Sequence, residues 1–177
     1  MTDKKTLPAL WLLSDARNDA GLERALARLP RGSGFIYRHY HLDAAARRAR
    51  FDDLAAAARA GNHVVILSGP AELARAWGAD GHYGTADCLA APCDLLRLAT
   101  AHDAREIALA NAAKADAVLL SPVFPTRSHP GGNCLGVAAF HHLAAQAAMP
   151  VIALGGMTAG RAQMLDWPRW AAIDGLS

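Results

Sequence analysis

A glycine pair with a threonine two residues on, Gly155-Gly156-Met157-Thr158, is the stretch of this chain best fitted for chemistry. It follows an apolar run, Val151 to Leu154, that reads as a strand. Glycine has no side chain to keep a ligand away from the backbone, and Thr158 is a helix N-cap type, so free amides face whatever sits beyond the strand end. An anion is the natural guest of such amides; a tight turn with no ligand is the alternative. Other chemistry is poorly served by spacing. Cys88, Cys93 and Cys134 are odd in number and lack a CxxC pair, which argues against a disulfide framework or a structural zinc. His82 has no Cys or His partner at a zinc spacing and reads as a packing residue, and His141-His142 reads as a surface or packing pair.

The elements around the glycine pair form a repeating unit. Ala117 to Leu120 is an apolar strand, Ser121 to Leu135 a polar loop, and Ala138 to Ala148 a helix that leads into the strand at Val151. Both strands are apolar on consecutive positions, as expected of parallel strands covered on both faces, and ligands of such α/β proteins sit past the strand ends. Upstream, Leu7 to Leu13, Gly34 to Tyr40, His63 to Leu67 and Asp94 to Thr100 read as further strands. The helices between them are Gly21 to Leu29, Ala44 to Ala60 (capped by Asp43 and ended by Gly61), Ala71 to Trp77 and Ala104 to Ala113. In the second strand, alternation puts Ile36, Arg38 and Tyr40 on one face and Tyr37, His39 and His41 on the other.

With 177 residues the chain suits a single domain spanning 1–177. A formal charge of +2 with 19% charged residues gives no basic field for nucleic acid, and Arg47, Arg48 and Arg50 read as a solvated helix face. The start of the chain carries no apolar signal core, and no apolar run approaches about 18 residues. The expectation is a cytoplasmic protein with reduced thiols and no membrane contact.

Ser121-Pro122-Val123-Phe124-Pro125-Thr126, then Leu135-Gly136, then Met149-Pro150-Val151-Ile152-Ala153-Leu154-Gly155-Gly156-Met157, resembles the thiamine phosphate synthase (thiamine phosphate pyrophosphorylase) family, whose scaffold the thiazole tautomerases share. The resemblance implies an α/β fold, a TIM (β/α)8 barrel. It is compact, because such barrels typically take about 250 residues. Gly78 to Gly84 then corresponds to a strand, and Trp170 to Ile173 to the last one. The chain stops at Ser177, so the last outer helix is read as missing. The apolar flank this leaves implies a rearranged closure or a covering partner, hence a possible homo-oligomer. The implied activity joins hydroxymethylpyrimidine diphosphate to thiazole phosphate in thiamine biosynthesis, with Mg2+ and release of pyrophosphate.

Position by position, the resemblance makes Arg38 a diphosphate contact, with a barrel-mouth salt bridge as the alternative; a planar guanidinium suits phosphate oxygens. Ser14-Asp15 lies where the family carries a polar pair, and capping is its other reading. The family's Asn-Asp, whose Asp binds Mg2+, is replaced by Ser68-Gly69, and Asp87 falls near the second acidic position, as a metal ligand or a local cap. Thr100 and His102 correspond to a substrate-side turn or to a helix start. Thr126, Ser128 and His129 occupy the positions of Thr, Thr and Lys around pyrophosphate, and Arg127 adjoins them to supply the lost charge. Gly155 and Gly156 hold the thiazole phosphate. Asp174 replaces a small or hydroxyl residue beside that phosphate and would repel it unless turned aside. Pro122 stands where tautomerases carry a proton-transferring His. The leading expectation is therefore a synthase-like transferase acting on small phosphates and diphosphates. The alternatives are a phosphate-binding or regulatory barrel, or a tautomerase-like isomerase using His129 or His102.

Overall fold

The computed structural model describes residues 7–89, 91–127 and 131–176. Eight parallel strands pair in chain order and close on themselves: β1 (Leu10–Leu13), β2 (Gly34–Tyr37), β3 (Val64–Ser68), β4 (Gly81–Gly84), β5 (Leu96–Ala101), β6 (Ala117–Leu120), β7 (Val151–Ala153) and β8 (Trp170–Ala172). The seam is made by β1 against β8, with Leu10 opposite Trp170 and Leu12 opposite Ala172. The fold is the (β/α)8 barrel that the family resemblance implies, and its parallel strands are those the apolar runs mark. Side chains alternate across the wall: Trp11, Leu13, Ile36, Ile66, Leu98, Leu119 and Ile152 fill the interior, while Leu12, Phe35, Tyr37, Val65 and Leu67 pack outward beneath the helices.

Trp11 sets the bore of this small barrel. It has no exposed surface, and its indole Nε1 donates to the Pro8 carbonyl at 2.9 Å. Its register partner is Gly34, where an added Cβ would lie 2.0 Å from the indole ring. The large residue and the absent side chain occupy one space.

The outer layer comprises α1 (Leu22–Arg28), α2 (Ala44–Ala60), α3 (Ala71–Trp77), α4 (Ala104–Ala112), α5 (Gly136–Ala144) and α6 (Ala159–Leu165). Asp43 caps α2 by accepting from Ala46 N at 2.9 Å, Asp103 caps α4 from Glu106 N at 2.8 Å, and Thr158 caps α6 from Arg161 N at 3.3 Å. Among the described residues, 3-10 turns stand in for helices after β4 (Ala86–Leu89) and after β8 (Asp174–Leu176). The first of these was not expected. Arg97 of β5 binds the thin region together, donating to the carbonyls of Leu89 at 3.3 Å and Ala113 at 3.0 Å. At the seam, Asn18 Nδ2 donates to Leu13 O at 3.0 Å and Ile173 O at 3.3 Å, so β1 and β8 are joined at their carboxyl ends without a helix between them. No described helix is long and apolar enough to cross a membrane.

The second strand ends at Tyr37, three residues sooner than its alternation suggests, because His39 takes a left-handed φ of 41°. Alternation persists through Arg38 and His39 and then fails: Tyr40 is 66% exposed, with its hydroxyl bonded to Ser68 Oγ.

Two predictions follow from this packing. Gly34→Ala should lower stability by about 1–3 kcal/mol through overlap with Trp11; an unchanged urea midpoint would contradict the shared-space account. The second concerns pH. Burial pushes His39 below its ordinary value, though the Asp19 hydrogen bond offsets part of this, and burial does the same to His82. The unfolded chain therefore binds protons below about pH 6.5 that the folded chain refuses, and stability should fall as pH drops from 7.5 to 5.5. The depressed carboxyls of Asp15, Asp19 and Glu23 act in the same direction but only at lower pH, near the carboxylate range. A thermal midpoint that is flat over that window, or a slope no shallower in His39→Asn, would contradict the assignment.

Candidate functional site

The carboxyl ends of the strands surround a cavity of about 450 Å³. It receives Arg38 from beyond β2, Tyr83 from β4, Thr100 and His102 from the end of β5, and Ser121, Pro122, Thr126 and Arg127 from the loop after β6. The turn after β7 contributes Leu154 to Thr158 with Arg161 of α6, and Ala172 to Gly175 complete the wall. The structure thus brings together Arg38, Thr100, His102, Thr126, Arg127, Gly155 and Gly156. Ser128 and His129 lie outside the described residues. Asp87 is exposed within the 3-10 turn Ala86–Leu89 and is not part of the cavity wall.

Gly155 and Gly156 are required by shape. Their φ angles are 99° and 62°, and added Cβ atoms would lie 2.6 Å from Pro122 Cα and 2.4 Å from Pro125 O. Val123 N donates to Leu154 O at 2.9 Å and Phe124 N to Gly155 O at 3.1 Å, so the loop after β6 is laced to the turn after β7. Leu135 N and Gly136 N return to Pro122 O and Val123 O, each at 2.9 Å, closing that loop at its base. Arg161 Nη1 donates to Gly156 O at 2.5 Å, and its guanidinium carbon sits 5.2 Å from the centre of the Phe124 ring.

Arg38 forms the barrel-mouth salt bridge while lining the cavity. It reaches the cavity, and its Nη2 donates to Asp15 Oδ2 at 2.7 Å. Arg17 Nε holds the other oxygen of Asp15 at 2.8 Å, and Arg17 Nη1 extends to Asp174 Oδ2 at 3.4 Å. Burial raises the affinity of Asp15 for a proton, but the Arg17 hydrogen bonds and the charges of Arg17 and Arg38 outweigh it and hold the carboxyl below its ordinary value. The Asp174 carboxylate, which would repel a phosphate, is thereby engaged by a cation at the rim.

The uncharged groups are also oriented. His102 Nδ1 lies 2.9 Å from the Ser121 carbonyl, which can only accept, so Nδ1 carries a hydrogen. The His102 amide donates to Glu106 Oε2 at 2.7 Å. Thr100 is hydrogen-bonded to the Tyr83 hydroxyl, whose acidity burial weakens despite that bond.

Sequence reading missed Arg161, Tyr83 and Ser121. The signal for Arg161 was present: it is the third residue after the Thr158 cap, and a first-turn side chain can reach back to the preceding loop.

The donors present do not fit a magnesium ion held by the protein. Among the described residues no group of three or more His, Cys, Asp or Glu is arranged around a metal position. Ser68 and Gly69 supply no carboxylate, the Ser68 carbonyl accepts from Arg47 Nη2 at 2.7 Å, and Asp174 of the cavity wall is engaged by Arg17. The three cysteines are free thiols.

The family model for thiamine monophosphate synthase matches residues 11–166. The thiamine-phosphate synthases of Mycobacterium sp. strains KMS and MCS are each 30% identical over 174 residues, covering 86% of this chain and 76% of theirs. Among solved structures, thiamine phosphate pyrophosphorylase from Pyrococcus furiosus superposes with a TM-score of 0.78 at 18% identity, over 97% of this chain and 88% of that one. The YdjI aldolase of Escherichia coli K12 superposes with a TM-score of 0.64 at 10% identity, over 97% and 76% of the two chains. The structural likenesses speak to the barrel alone. Taken with the sequence match along nearly its whole length, this chain belongs to the thiamine monophosphate synthase family.

Proposed function

We propose that this chain joins hydroxymethylpyrimidine diphosphate to thiazole phosphate, forming thiamine phosphate and releasing pyrophosphate. The observation that carries the reading is the convergence of Arg38, Arg127 and Arg161 with the Gly155–Gly156 backbone on one cavity of about 450 Å³. That volume lies in the range of small-molecule sites, roughly 300–1,000 Å³, and leaves room for two small heterocycles.

The reaction breaks the bond between the pyrimidine methylene carbon and the diphosphate oxygen, and the electron pair leaves with the oxygen. The thiazole nitrogen supplies its lone pair to that carbon, forming the new C–N bond. The developing charge on the departing pyrophosphate is what the protein must stabilise, and fixed guanidinium groups do this without reorganising during the step. On this reading Arg38 and Arg127 face the leaving group, while Gly155, Gly156 and Arg161 hold the phosphate of the thiazole partner. Thr100 and Thr126 offer hydroxyls, and His102 lies at the wall. Ser128 and His129 belong to the same loop and are proposed as further leaving-group contacts.

The test is thiamine phosphate formation by wild type, Arg38→Ala and Arg161→Ala. A hydrogen bond to a charged group contributes about 1.5–3 kcal/mol, so each substitution should lower kcat/KM by about 10- to 100-fold. Variants that match wild type, or a wild type that binds pyrophosphate and forms no product, would overturn the proposal.

A further inference from the structure

Beside the cavity, next to Arg38, lies a run of buried and half-buried hydrogen bonds that the proposed reaction does not use. Asp19 Oδ1 lies 2.8 Å from His39 Nε2, His39 Nδ1 lies 2.8 Å from Ser14 Oγ, and the Arg38 amide donates to the same Ser14 Oγ at 2.7 Å. Arg38 Nε adds a bond to the Ser14 carbonyl at 3.1 Å. Ser14 therefore grips Arg38 at two points, once by its backbone and once by its side chain.

The donors and acceptors in this run can be assigned. A carboxylate only accepts, so His39 Nε2 carries a hydrogen, and in the neutral ring, which burial favours, Nδ1 is bare. Ser14 Oγ must then donate to His39 Nδ1, which leaves an oxygen lone pair for the Arg38 amide. The order resembles a serine nucleophile with its base, but Ser14 has no exposed surface and its oxygen already accepts from Arg38. No substrate atom can reach it. The remaining output of the run is the placement of Arg38.

Strain at the next residue supports this. His39 is a non-glycine residue at φ 41°, buried and stacked on Tyr37 with ring centroids 4.7 Å apart. Such conformations persist only where surrounding contacts enforce them, and they concentrate at functional sites. Arg50 secures the far end through its Nε bond to Asp19 at 2.7 Å.

We infer that Ser14 and His39 are positioning residues for Arg38, holding its guanidinium at the cavity wall through the Asp19–His39–Ser14 run. The inference rests on the reading of Arg38 as an anion contact in the proposed transferase. It explains how Arg38 stays directed at the cavity while paired with Asp15, since the main chain on both sides of the ion pair is fixed.

Calorimetric titration with inorganic pyrophosphate tests it on the full chain. Ser14→Ala and His39→Asn should each weaken binding about three- to tenfold, the loss typical of one hydrogen bond; Asn is chosen because it tolerates the left-handed backbone. In an Arg38→Ala background neither substitution should weaken binding further. Losses that persist undiminished in that background, unchanged affinity in the single variants, or a wild type that binds no pyrophosphate would each overturn the inference. A second measurement needs no variant: nitrogen-15 spectra of the wild-type imidazoles at pH 7.5 should show His39 protonated on Nε2 and bare on Nδ1. The opposite tautomer would break the run at Ser14. Because pyrophosphate affinity is read without turnover, a chain that binds it but forms no thiamine phosphate loses the transferase reading and leaves the positioning role standing.

Discussion

Backbone contact between two loops sets the position of the groups along one side of the cavity. Gly155 and Gly156 approach Pro122 and Pro125 so closely that any side chain would overlap them, and the Val123 and Phe124 amides are bonded across the same gap. The turn after β7 and the loop after β6 therefore behave as one piece. Thr126 and Arg127 are carried by that loop, and Arg161 reaches the glycine carbonyl from α6. A barrel wall positions strand ends to within a few ångströms. The interlock of these loops does the finer placement that electrostatic stabilisation requires.

The charge at the mouth is distributed with equal economy. Arg38 enters the cavity already paired with Asp15, and Arg17 links Asp15 to Asp174. Pairing at the rim is weak in water, but it gives both carboxylates a cationic partner. The guanidinium of Arg161 is bonded to a carbonyl rather than a carboxylate, which leaves its positive charge uncompensated by that contact. The cavity thus has one side where cation and anion are matched and another where a cation stands beside two glycines.

Much of this was legible in the sequence because it depends on short-range chemistry. Consecutive apolar residues at Ala117–Leu120 and Val151–Ala153 mark strands buried on both faces, and Asp43 and Thr158 mark helix starts through a single side-chain acceptor. The glycine pair could be read as a point of close backbone approach for the same reason. What escaped depends on distant neighbours. The end of β2 at Tyr37 coincides with a left-handed His39, which nothing local to that residue announces, since its imidazole is held by Ser14 and Asp19. The turn at Ala86–Leu89, standing where an outer helix would lie, is bonded to Arg97 from the next strand. Arg38 remained ambiguous between ligand contact and salt bridge because the two are compatible in space, a fact only the geometry of Asp15 reveals. Asp87 could be assigned to a metal by its place in the chain, but its exposed position on a turn outside the cavity wall follows from the shape of the region after β4.

The central claim is that the glycine turn and Arg161 form the phosphate-holding end of the cavity. A crystal structure of the protein grown with thiamine phosphate tests this most directly. Phosphate oxygens are expected at about 2.7–3.2 Å from the Gly155 or Gly156 amide and from the Arg161 guanidinium. A phosphate seated elsewhere, with those amides and Arg161 facing only solvent, would contradict it.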